Sequence, residues 1–163
     1  MMKVGVVMGS TSDLPVVEKA IAVLKEYGVE TEVRVLSAHR CPEEAHDFAV
    51  TARERGFGVL IAAAGMAAHL AGALAANCTL PVIGIPCKSA NLDGMDALLS
   101  TVMMPSGIPV ATVAVDGAKN AALLAVQMLA ITDAKLAAKL DKAREDGKAA
   151  VLKADAEVMA RFQ

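Results

Sequence analysis

The stretch Val4-Gly5-Val6-Val7-Met8-Gly9-Ser10-Thr11-Ser12-Asp13-Leu14 decides how the rest of the chain is read. Val4 to Met8 is short and apolar throughout, as expected of a strand buried on both faces. Gly9 to Asp13 then turns that strand into a helix starting near Leu14. Unpaired backbone N–H groups and the positive end of a helix dipole meet at such a turn, and both favour an anion such as phosphate. The Ser10 and Ser12 hydroxyls add donors, and Asp13 is placed to accept from a sugar diol. Ser, Thr and Asp are also the commonest helix caps. On these five residues alone a cap is the simpler reading.

Working outward, Leu14–Tyr27 carries Val17, Ile21 and Leu24 at helical spacing and closes at Gly28. Thr31–Leu36 is β-branched and alternating, a second strand. Ser37-Ala38-His39-Arg40-Cys41-Pro42 leads into a helix expected to run to about Arg55, with Pro42 in its first turn. Val59–Ala63 is a third strand, and Ala64–Leu70 turns it into a helix ending near Asn77. Pro81 and Pro86 bracket a fourth strand, followed by the polar loop Lys88–Gly94 and a helix over Met95–Val102. Met104–Gly107 is a turn, Ile108–Val115 a fifth strand and Ala118–Ile131 a helix. From Asp133 onward the chain reads as further helix, charged on one side and interrupted at Gly147.

Strands alternating with helices at this spacing give an α/β fold of three layers, a flavodoxin-like, doubly wound parallel sheet with an extra C-terminal helix. Ligands of such folds sit beyond the carboxyl ends of the strands. The polar turns after strands one, two, three and five all fall on that edge, which lifts Gly9–Asp13 above an ordinary cap.

With 163 residues, the chain is read as one domain. A 55% hydrophobic composition excludes disorder, and its alanine-rich excess points to burial by other subunits. Net charge −2 and 2% aromatic residues argue against nucleic acid as a partner. Cys41, Cys78 and Cys87 show no close pairing and no CxxC spacing, which argues against a metal or redox motif; their odd number fits a reducing, cytoplasmic location. No apolar run reaches the length of a membrane span, so no membrane partner is expected.

His39 and Arg40 stand together past strand two: a residue able to give and take a proton near neutrality, and a planar cation suited to phosphate. Alone, such a pair is more often a surface arginine beside a loop histidine. Here it has company. Met8–Asp13, Ser37–Arg40, Ala64-Gly65 with Ala67-Ala68-His69-Leu70, Met104–Pro109 and Lys119–Ala122 occur in order. Together they closely resemble the family of 5-(carboxyamino)imidazole ribonucleotide mutases of purine biosynthesis, over roughly residues 3 to 132.

The resemblance implies a nucleotide substrate and a reaction without cofactor or metal. A carboxylate on the exocyclic nitrogen of an aminoimidazole nucleotide moves to the adjacent ring carbon, through carbon dioxide that is released, held and recaptured. His39 matches the catalytic histidine. Ser10, Ser12 and Arg40 match the phosphate contacts, and Asp13 the acceptor for the ribose hydroxyls. Ser37, Ala38, Gly65, Ala67, His69 and Leu70 complete the implied substrate contacts. His69 is read as a pocket or structural residue, His46 as an exposed helical one, and Met103 and Met104 as core or loop packing. The resemblance also implies a homo-octamer with sites between subunits, residues 133–163 packing on a neighbour.

Ala63 and Met66 stand where the family more often has glycine, and Ala71 where it often has proline. The animal-type relatives, which carboxylate the free aminoimidazole nucleotide directly, lack the Ala-Ala-His-Leu segment. Two other functions stay open on the residues: a carboxylase using carbon dioxide on this or a related nucleotide, and a non-catalytic nucleotide-sensing module.

Overall fold

A computed structural model describes residues 2–163. Five parallel strands form one sheet in the order β2-β1-β3-β4-β5. They are β1 (Lys3–Met8), β2 (Thr31–Val35), β3 (Phe57–Gly65), β4 (Val82–Cys87) and β5 (Ala111–Thr112). The helices between them are α1 (Leu14–Tyr27), α2 (Pro42–Thr51), α3 (Leu70–Asn77), α4 (Met95–Val102) and α5 (Ala118–Ala130), and α6 (Ala134–Phe162) follows.

Alternation along the central strands splits the core in two. Val4, Val6, Met8, Ile61, Ile83 and Ile85 point toward α1 and α5, where they meet Val17, Leu24, Ala122 and Val126. Val7, Leu60, Ala62 and Val82 face the other way, against Phe48 of α2 and Leu70 and Leu74 of α3. Each large aliphatic side chain removed from water in this way contributes about 1.5–3 kcal/mol. Alanines at the helix–sheet and helix–helix contacts let α5 approach closely; Ala118, Ala121, Ala122 and Ala125 are all fully buried.

Local chemistry sets the ends of α1. Pro15 occupies the first turn, and Gly28, at φ +75°, returns its N–H to the Leu24 and Lys25 carbonyls. Past β1, the Gly9 N–H donates to the Ala63 carbonyl at 3.0 Å, which ties the turn after β1 to the end of β3.

Three expectations are corrected. The fifth strand shrinks from Ile108–Val115 to Ala111–Thr112, paired with Ile83 and Gly84. Pro109 and Pro86, neither with an N–H to donate, bracket that pairing. The second helix ends at Thr51 rather than near Arg55, and turns at residues 52–56 carry the chain to β3. Gly147 does not interrupt α6, which is continuous. A glycine in an exposed helix costs only about 1 kcal/mol against alanine, and the surrounding Ala, Lys, Glu and Arg residues offset it.

α6 begins with Asp133 capping the N–H groups of Lys135 and Leu136. Leu136 is buried, and Lys139 Nζ donates to the Tyr27 carbonyl at the C-terminus of α1, at 2.8 Å. Beyond residue 140 every residue of α6 is exposed.

Candidate active site

The carboxyl ends of β1, β2, β3 and β4 open into one cavity of about 550 Å³. Ser10, Ser12, Asp13, Ser37, Ala38, His39, Arg40, Gly65, Ala67, His69 and Leu70 all line it, so every expected site residue is brought to one place. Parallel topology is the reason: each turn after a strand emerges on the same edge of the sheet.

On the β1 side, Ser10 Oγ accepts from the Ser12 N–H at 3.3 Å and caps the short 3-10 turn Thr11–Asp13 that precedes α1. Its own O–H stays free to donate. Asp13, the other cap candidate, makes no side-chain capping bond to α1. It lies almost buried, only 9% exposed, near Gly9, Cys87 and Asp116. Burial holds its carboxyl above the usual carboxylate range, and the nearby charge of Asp116 pushes the same way. A hydroxyl-bearing ligand donating to Asp13 relieves that burial cost. The Cys87 thiol behind it is pushed up to about 12, first by burial and then by the charges of Asp13 and Asp116. Cys87 is therefore a neutral thiol at physiological pH and not a nucleophile.

On the β2 side, the Arg40 guanidinium is fixed by two bonds. Nη2 donates to the Gly9 carbonyl at 2.8 Å and Nε to Ser37 Oγ at 3.4 Å. The remaining N–H groups are free for an anion beside the Ser10 hydroxyl. Ser37 Oγ also accepts from the Arg40 backbone N–H, and the Ser37 N–H donates to Cys41 Sγ, so the turn holds its own shape.

His39 and His69 come from turns thirty residues apart and meet over the cavity, with Nε2 of the first 2.8 Å from Nδ1 of the second. The rings meet edge to face, centroids 4.9 Å apart. One nitrogen of the pair donates and the other accepts, according to tautomer. His69, expected as a pocket or structural residue, lines the cavity and is also the direct hydrogen-bond partner of His39.

At the end of β3 the small apolar residues Ala64, Gly65 and Ala67, with Met66 among them, form one wall of the cavity. Met66 has φ +54° and is 59% exposed, so a long side chain occupies a left-handed position. Ala63 and Ala71, the other departures from the family pattern, are both buried in the core and do not line the cavity.

Lys88 and Ser89 also line the cavity, and Asp116 supports it by accepting the Lys88 N–H at 2.9 Å. Sequence reading placed Lys88 and Ser89 in a polar loop and gave them no role. Their position directly after β4, on the same edge as the other turns, was the available signal. Two motifs that carried the resemblance lie elsewhere. Met104 stands over Gly72 of α3, Gly107 to Pro109 line a separate groove beside α3, and Ala121 and Ala122 are core. Met103 is 76% exposed and packs in no core. His46 is exposed as expected, its Nδ1 2.9 Å from Asn77 Oδ1.

The family model described as AIR carboxylase matches residues 3–150. The chain is 58% identical over 148 residues to the N5-carboxyaminoimidazole ribonucleotide mutase of Pyrococcus abyssi, covering 91% of this chain and 85% of that protein. It is 54% identical over 151 residues to the enzyme of the same name from Bacillus subtilis, covering 91% and 93%. The crystal structure of Treponema denticola PurE superposes with a TM-score of 0.85 at 30% identity, over 94% of this chain and 96% of that one.

Proposed function

This chain belongs to the AIR carboxylase family, and on that premise we propose that it is an N5-carboxyaminoimidazole ribonucleotide mutase. It moves a carboxyl group from the exocyclic nitrogen of an aminoimidazole ribonucleotide to the neighbouring ring carbon, within purine biosynthesis. The observation that carries the reading is the convergence of His39, Arg40, Ser10 and Asp13 on a single cavity walled by alanines.

Ser10, Ser12, Arg40 and the N-terminal end of the first helical segment hold the phosphate. Asp13 accepts from the ribose hydroxyls. Those contacts place the ring beside His39, with Ser37, Ala38, Gly65, Ala67, His69 and Leu70 around it. The N–C bond of the carbamate breaks and its electron pair stays on nitrogen, which takes a proton from His39; carbon dioxide is released. The electron-rich ring carbon then attacks carbon dioxide, and His39, now neutral, removes the hydrogen from that carbon. No proton is gained or lost over the cycle, so one imidazole suffices. His69 keeps that imidazole oriented. The wall Ala64–Ala67 has no side-chain donor that would hold water against the released gas.

The assembly is a cytoplasmic homo-octamer in which α6 packs on a neighbouring subunit and the cavity is completed between subunits; residues 3–132 form the nucleotide-binding core and 133–163 the helical extension. Supporting this, Val151, Leu152, Val158, Met159 and Phe162 of α6 are all exposed on the single chain. Among the described residues no helix is long and apolar enough to cross a membrane.

The test is to mix the protein with the carbamate nucleotide and follow ultraviolet absorbance. Conversion to the carbon-carboxylated product is expected without added bicarbonate. Conversion only from the uncarboxylated nucleotide with carbon dioxide identifies a direct carboxylase instead, and saturable binding without conversion identifies a sensing module.

A further inference from the structure

We propose that Lys88 is a substrate-binding residue: its ammonium leaves Asp93 to hold the substrate's carboxylate at the end of the cavity opposite Arg40. The inference rests on the mutase reading above, which supplies a substrate carrying two anions, a phosphate and a carboxylate.

Arg40 and Lys88 are the arginine and lysine residues among those lining the cavity. They stand at different ends. The Arg40 guanidinium is held against Gly9 at the end of β1, whereas Lys88 follows β4, with β3 between them. Two strand spacings separate those positions, about 10 Å. The wall Ala64–Met66 lies between, at the end of β3. A nucleotide whose phosphate is taken by Arg40 and Ser10 and whose ring stands beside His39 can turn its carboxylate along that wall toward β4.

The far end needs a cation. Asp116 lies beside Lys88, and a substrate carboxylate brought there unpaired meets only repulsion. Lys88 is the residue placed to neutralise it. Its backbone is anchored, because its N–H donates to Asp116 Oδ1 at 2.9 Å. Its side chain is not. Nζ pairs with Asp93 Oδ1 at 3.2 Å, with the two side chains 61% and 81% exposed. An ion pair so open to water is weak, so exchanging Asp93 for a substrate carboxylate costs little. A flexible ammonium stem on a fixed backbone is the geometry such an exchange requires.

The experiment measures binding of two aminoimidazole ribonucleotides that differ only in the ring carboxylate, by titration calorimetry. In Lys88→Met the Kd of the carboxylated nucleotide should rise about five- to tenfold, while that of the uncarboxylated one stays within twofold. Lys88→Arg should restore most of the difference. Asp93→Asn, which removes the competing anion, should tighten the carboxylated nucleotide about two- to threefold. Thermal melts confirm that each variant is folded.

Equal weakening of both nucleotides in Lys88→Met means that the lysine meets the phosphate and overturns the assignment. No weakening of either makes it a bystander and overturns it too, as does Asp93→Asn binding no more tightly than the parent. Failure of the parent protein to convert the carbamate while it still binds both nucleotides counts against the mutase reading alone, since the Lys88 comparison is read from binding.

Discussion

Nε2 of His39 and Nδ1 of His69 lie 2.8 Å apart, although the two residues belong to turns after different strands. A shared hydrogen between these nitrogens fixes the plane and direction of the His39 ring, so its Nδ1 edge keeps one orientation. That relationship separates the roles of the two histidines and makes them separable by experiment.

His39→Asn removes the proton carrier and should lower turnover by at least about 10²–10⁴-fold. The side chain is exposed, so the melting temperature should hardly move. His69→Ala leaves the carrier in place but frees its orientation. It should lower kcat by roughly ten- to a hundredfold, with KM little changed and the pH profile of kcat displaced. Equal losses and unaltered profiles in both variants would remove the distinction.

Asp13→Asn should weaken nucleotide binding by about ten- to a hundredfold, the worth of hydrogen bonds to a charged acceptor. It should at the same time stabilise the fold at neutral pH. A carboxyl raised above 3.8 by burial binds protons more tightly folded than unfolded. Stability therefore falls as pH rises above about 3.8 through the raised value, and the loss is complete beyond it. Thermal melts from acid to neutral pH should show the Asp13→Asn variant gaining over the parent as pH rises, with no advantage at the acid end, where Asp13 is protonated in both states.

Met66→Gly sets two opposed terms against each other. Relieving a left-handed backbone at φ +54° is worth about 1–2 kcal/mol. The extra freedom of glycine in the unfolded chain costs about 0.5–1 kcal/mol. A net gain of up to about 1.5 kcal/mol is expected in urea denaturation. Met66→Ala, which keeps the strain, should show no gain.

Gly84→Ala tests the packing behind the site. A methyl group there meets Thr101 Cγ2 head-on, and it meets Val110 Cγ1 at 3.1 Å and Ala71 Cβ at 3.3 Å. Those neighbours sit on α4, α3 and the approach to β5, and none has a long flexible end to swing aside. A loss of about 1–3 kcal/mol is expected from denaturation curves.

Val158→Asp with Phe162→Asp tests the assembly. Both side chains are exposed on the single chain, at 56% and 75%, so the fold should survive the change. Light scattering should give an octamer for the parent and a smaller species for the double variant. An unchanged mass would show that this end of α6 covers no neighbour.

The alternation of apolar runs with helix-period segments was enough to give the parallel sheet, and with it the edge on which the turns gather. Ser10, Asp13, His39 and Arg40 were legible as polar residues of turns that follow strands, but taken alone they read as a helix cap and a surface pair, and only the motif resemblance gave them roles. Motif resemblance added Gly65, Ala67, His69 and Leu70. The fifth strand was overextended because β-branched spacing says nothing of the partner strand, and Pro86 and Pro109 limit the pairing. The continuity of α6 was missed because glycine was weighed as a breaker, when its cost in one long helix is small.

Local sequence thus determined which segments are strands and helices and which polar residues lie at strand ends, because side-chain periodicity and turn chemistry act over a few residues. Only the tertiary structure decided that His39 meets His69, that Asp13 turns away from its own helix to lie near Cys87 and Asp116, and that Lys88 joins the cavity. Those contacts join residues far apart in the chain, and they exist only once the strand order β2-β1-β3-β4-β5 has set which turns are neighbours.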